Sequence, residues 1–130
     1  MTDDELKKID ELKINATSDL VAGIVKAARG DEDALNAAVW ALSDAEATFA
    51  LAMLAFVHVD ATRGQARVQP DAVVAELVLD EAATAGFPAA FRLADSFTSS
   101  DVRAALAKLA VAVRFQREIA IHAARSAASN

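Results

Sequence analysis

The sequence predicts an all-α protein, a single helical domain over residues 1–130 built as a bundle of about four long helices plus one short helix. Three observations predict it. Alanine, the strongest helix former, supplies 33 of the 130 residues, while four glycines, two prolines and no tyrosine leave little material for turns or sheet surfaces. Larger apolar residues recur at i, i+3 and i+4 through most of the chain. Capping patterns stand where several of those runs begin. At this length a chain can bury a core without disulfide or metal staples.

The first helix opens on Thr2-Asp3-Asp4-Glu5, which has the spacing of a capping box, and carries Leu6, Ile9 and Leu12, then Leu20, Ile24 and Ala27/Ala28. The polar stretch Asn15 to Asp19 holds no glycine or proline, so one helix is expected to run to about Arg29, with Gly30 as its stop. Asp31-Glu32-Asp33 places negative charge at the start of the second helix, where the helix dipole favours it. That helix begins near Asp33 and contains Leu35, Val39, Trp40 and Leu42. A second capping box, Ser43-Asp44-Ala45-Glu46, falls inside the apolar pattern and marks either a break or a bend. Continuity to about Ala61 is the expectation, giving a rod of ~43 Å.

Arg63 to Pro70 has no periodicity and holds Gly64, so it reads as the main loop. Pro70 suits the first turn of a third helix over Asp71 to Ala85, with Val74, Leu77 and Val78 inward. Gly86 ends it, and Pro88 opens a short helix containing Phe91, Leu93 and Phe97. Thr98-Ser99-Ser100-Asp101 offers caps for the last helix, whose stripe is Val102, Leu106, Leu109 and Val113 and which runs to about Ala127.

Composition narrows function more by exclusion. Without cysteine there is no disulfide, thiolate metal site or cysteine nucleophile. The net charge is −6, with −4 over residues 1–36, −5 over 37–99 and +3 over 100–130. That balance repels nucleic acid and anionic membrane, which require clustered Lys and Arg. The longest uncharged apolar run, Ala47 to Val59, is too short to span a bilayer, so the chain reads as soluble and cytoplasmic.

Residues 45–59 are apolar nearly all round, with Phe49, Leu51, Met53, Leu54, Phe56, Val57 and Val59, and alanines that permit close helix approach. Such a helix needs cover on every side. A homodimer burying part of Phe49 to Val59 would supply it. The competing reading is a small-molecule-binding or catalytic helical domain with an apolar pocket near Phe49, Met53 and His58. Trp40, the only tryptophan, reads first as core and second as a partner contact.

Signs of chemistry are few. His58 shares the face of Leu51 and Leu54, and so is expected to be buried. Glu118 and His122 stand at i, i+4 and could form a base with its orienting acid or half a metal site, but the spacing suits a surface ion pair equally well. No Glu-x-x-His, His-Glu-x-x-His or calcium-loop pattern occurs, and no nucleotide-binding glycine motif, so no metal or cofactor is expected. Arg103, Arg114 and Arg125 are spaced by eleven residues, about three turns, and line one stripe with Arg117 beside it. They read first as a solvated face, then as partners of Glu76, Asp80 and Glu81, then as a grip on an acidic protein. A helix–turn–helix over Asp71 to Phe97 carries too few cations to read DNA. The expected function is therefore a non-catalytic interaction or oligomerisation module, with Trp40, Phe49, Met53, Phe56, Arg103, Arg114 and Arg125 as its contact residues.

Overall fold

The computed structural model describes residues 19–129, which form helices and no strand. The expected capping box at Thr2 and the stripe Leu6, Ile9 and Leu12 lie outside the described residues. Helix α1 (residues 19–28) buries Val21, Ile24 and Ala28. It closes by tightening its last turn, with Gly30 N–H donating to the Ala27 carbonyl at 3.2 Å. Gly30 ends the helix without entering the left-handed region, which only Gly64 and Gly86 occupy among the described residues.

Helix α2 spans Glu32–Trp40. Asp31 is its N-cap, accepting from the Asp33 amide at 2.9 Å, and Leu35 and Val39 are its buried residues. The expected continuous rod does not form. Ala41 and Leu42 close back on Ala37 and Val39, and Ser43 turns to an extended conformation and caps a new helix, α3, over Asp44–Ala61. Both arms of the capping box are made: the Glu46 amide donates to Ser43 Oγ at 3.2 Å, and the Ser43 amide donates to Glu46 Oε1 at 3.0 Å. The physical reason for the break is packing. Both α2 and α3 rest on the last helix, which a straight rod could not allow, and the turn buries Leu42.

The loop after α3 is held at Thr62, whose hydroxyl donates to the His58 carbonyl, and at Arg67, which donates to Thr62 Oγ1 at 2.9 Å. Pro70 stays in this loop, two residues short of the N-cap Ala72, so it does not open the next helix. Helix α4 spans Val73–Asp95 and bends at Gly86, which sits at φ 83° and ψ −177°. The two predicted helices are its two arms. Phe56 of α3 meets Phe87 and Phe49 meets Phe91, so α4 runs antiparallel to α3.

Helix α5 spans Ser99–Ser129, with Thr98 Oγ1 accepting from the Asp101 amide at 3.2 Å. Arg103 pairs with Asp44 near the starts of α5 and α3, while Gln116 bonds the loop that follows α3. The two helices are therefore parallel. Leu51, Leu54, Val78, Leu79, Val102, Leu106 and Leu109 fill the space between α3, α4 and α5, and buried alanines such as Ala47, Ala50, Ala75 and Ala105 let the axes approach. At 1.5 Å per residue α5 is ~46 Å long against ~27 Å for α3. Gln116 is its last buried residue, and Arg117 to Ala128 are exposed. None of the helices among the described residues is long and apolar enough to cross a membrane.

Two expectations about burial change here. Trp40 is not core: it is 55% exposed at the end of α2, because the break at Ser43 leaves that end on the surface. Helix α3 is covered mostly by its own chain, so the need for a second copy to surround it falls away. Between Ala47 and Val59 only Phe49, Phe56 and Val57 are not fully buried.

Candidate functional site

At 100° per residue, Phe49, Met53 and Phe56 fall within about 60° of one another on α3, with Val57 at the edge of that arc. Helix α4 closes one flank of this stripe and leaves the other open. On one flank Phe49 lies 4.4 Å from Phe91 between ring centroids, and Phe56 lies edge-on to Phe87 at 6.2 Å. Those contacts close the aromatic flank. The Met53 and Val57 flank stays open as a cavity of about 420 Å³ between α1, α3 and α5. Val21, Ala22 and Val25 form its α1 wall, and Lys26, Arg29 and Arg117 bring three cations to it. Its surface is mainly apolar.

His58 does not belong to this cavity. It lies on the opposite side of α3, buried as its position beside Leu51 and Leu54 predicts. Nε2 has no hydrogen-bond partner, and burial, then the nearby positive charge of Arg67, push its pKa below the usual histidine value. A neutral, enclosed imidazole with no substrate-accessible face is a packing residue. The predicted constellation of Phe49, Met53 and His58 is thus split: the structure unites Phe49 and Met53 and sends His58 elsewhere.

The arginine stripe has a structural use. Arg114 donates to the carbonyl of Ala28 at 2.9 Å, satisfying an orphan acceptor in the last turn of α1. Arg103 donates to the carbonyl of Leu42 at 2.6 Å and pairs with Asp44 at 2.9 Å, fixing the turn between α2 and α3. Their eleven-residue spacing is the distance along α5 between those two docking points. Arg103 and Arg114 are therefore neither a solvated face nor partners of Glu76, Asp80 and Glu81, which form no ion pair among the described residues. Arg125 stands on the exposed outer half of α5.

Glu118 pairs with Arg114 at 3.2 Å, and His122 is exposed. No group of three or more metal-ligating side chains converges among the described residues. A second, more polar crevice of about 240 Å³ lies between Lys108, Val111 and Phe115 of α5 and Val68 to Asp71 of the loop.

No family model, curated protein or solved structure matches this chain.

Sequence reasoning missed Lys26, Arg29, Val21 and Val25 as site residues. Their signal is faint but present: Val21 and Val25 are one turn apart, and Lys26 and Arg29 follow on the adjoining face. Nothing local in the sequence says that this face meets Met53 and Val57.

Proposed function

We propose that this chain is a non-catalytic interaction module that associates with a second copy of itself through the outer half of α5. One observation carries the reading. Beyond Gln116 the helix continues for a dozen exposed residues, ~18 Å, in which Ile119 and Ile121 are 57% and 40% exposed, and Phe115 just before them is 48% exposed.

Left without a partner, this segment is costly to hold as a helix. A helical segment this short is marginal in water on propensity alone, and most helical stability comes from packing an apolar face. Phe115 and Ile119 are one turn apart, so they form such a face. Ala120, Ala123, Ala124, Ala127 and Ala128 leave room for another helix to approach closely. Charge points the same way: Arg117, Glu118 and Arg125 nearly cancel, whereas residues 1–99 carry the chain's acidity. A two-fold pairing buries the same patch on both copies, the commonest form of soluble self-association.

Light scattering on a size-exclusion column tests it. Twice the chain mass at tens of micromolar, returning to the monomer mass in Ile119→Glu, is the expected result. A monomer at concentrations well above micromolar would overturn the proposal.

A further inference from the structure

We infer that the cavity between α1, α3 and α5 is a binding site for a small amphiphilic anion, a carboxylate bearing an unbranched aliphatic tail. Three features of the site converge on that chemistry. The first is size: about 420 Å³ lies within the ~300–1,000 Å³ of typical ligand pockets. The second is the wall. Val21 and Val25 on α1 face Met53 and Val57 on α3, each pair one turn apart, making an apolar trough open on one side. The third is charge. Lys26, Arg29 and Arg117 come from two different helices and the turn between α1 and α2, yet they reach the same cavity. Among the described residues, none of the three is paired with a carboxylate.

That last feature sets this cluster apart from Arg63, Arg103 and Arg114. Arg63, Arg103 and Arg114 each have an acidic partner within the chain, which is an acidic protein overall. Three cations gathered on an apolar trough supply what an aliphatic carboxylate needs: desolvation for the tail and charge-assisted hydrogen bonds for the head. The long flexible stems of Lys26 and the two arginines let the heads close over a bound carboxylate while their methylenes extend the apolar wall. A polar anion such as phosphate gains nothing from the trough, and a neutral alkane gains nothing from the cations.

The site is separable from self-association, because Phe115 and Ile119 lie on a different side of α5 from Arg117, although Ile121 lies one turn from it. The test therefore uses the Ile119→Glu chain as well as the unmodified one. Sodium decanoate, kept below its micellar concentration, is titrated into isotope-labelled protein while amide shifts are followed. Saturable shifts at Val21 to Arg29, Met53 to Val57 and Arg117 in both chains are expected, with a single binding constant. Decanol should bind at least fivefold more weakly and acetate not measurably. Arg117→Glu, a change at an exposed residue, should weaken decanoate roughly fivefold to tenfold while leaving the helical circular dichroism intact. Val57→Asp, at a half-exposed position, should weaken decanoate and decanol together.

The absence of saturable shifts at millimolar decanoate overturns the site. So does saturation that maps away from these residues. Equal affinity for decanol and decanoate overturns the role of the cations. Co-sedimentation with phosphatidylglycerol vesicles, without binding of monomeric decanoate, would assign the same chemistry to a membrane surface and overturn the free ligand.

Discussion

The guanidinium of Arg103 lies 5.6 Å from the centre of the Trp40 ring, so the one tryptophan of the chain is held from α5 although it is largely exposed. The same group reaches the Leu42 carbonyl and the Asp44 carboxylate, and thus contacts the end of α2, the turn and the start of α3. Its hydrogen bond, followed by that from Ser99, holds the Asp44 carboxyl below its usual pKa. One side chain therefore locks the break that a straight helix would have lacked.

Replacing Arg103 with alanine should destabilise the chain by about 1–3 kcal/mol, chiefly through the orphaned carbonyl of Leu42. Lysine should recover only part of this, because it lacks the planar fork that serves the carbonyl and carboxylate together. Urea unfolding curves measure both, and Trp40 fluorescence should shift in each variant. An unchanged midpoint for the alanine variant would mean the turn stands without its clamp.

Gly86 and Gly23 should respond to alanine in opposite directions. Gly86 occupies φ 83°, ψ −177°, a region essentially restricted to glycine. A methyl there would meet nothing closer than Pro88 Cδ at 3.9 Å, so the cost is backbone strain alone, about 1–3 kcal/mol. Gly23 is helical, and an added Cβ would meet nothing within 4 Å. Gly23→Ala should therefore stabilise by about 0.5–1 kcal/mol. Thermal melts of the two variants give the comparison.

Gln116 ties the loop after α3 to α5 by donating to the Ala66 carbonyl at 3.1 Å and accepting from the Val68 amide at 2.7 Å. Gln116→Ala leaves both backbone groups without that partner and should cost about 1–3 kcal/mol. Amide exchange should speed up first at Val68, before the core of α3 changes. Uniform acceleration across the chain would show that the loop is not a separable unit.

His58 makes stability depend on pH in one direction. Its folded pKa lies below the unfolded value of about 6.5, so its contribution is fully present above that pH. As pH falls through 6.5 the unfolded state takes up the proton first, and stability declines. His58→Leu keeps an apolar side chain of similar bulk and removes this titration. Between pH 7 and pH 5 the variant should lose less stability than the unmodified chain. Equal losses would place the pH dependence in the carboxylates.

The all-helical class, the loop around Gly64, the breakpoint at Gly86 and the burial of His58 were all legible in the sequence, because each rests on local spacing or on the conformational freedom of one residue type. Ser43 shows where that reach ends. Its capping box was readable, but a box of this kind contributes about 1 kcal/mol, too little to decide between a break and a continued helix. The decision came from Leu42, which the turn buries, and from Arg103, which lies 61 residues further along the chain. Trp40 is exposed for the same reason. The arginine stripe was visible as a period of eleven, whereas its targets are carbonyls, which no side-chain pattern can announce; Arg114 finds Ala28 across 86 residues. The cavity is the extreme case. Val21, Val25 and Lys26 come from α1, Arg29 from the turn after it, the floor from α3 and the third cation from α5, so the cavity exists only after three amphipathic faces have packed and left one gap unfilled. Sequence periodicity determined which faces are apolar. Tertiary packing decided which of them meet, because that choice minimises exposed apolar area over the whole chain at once and no single segment carries it.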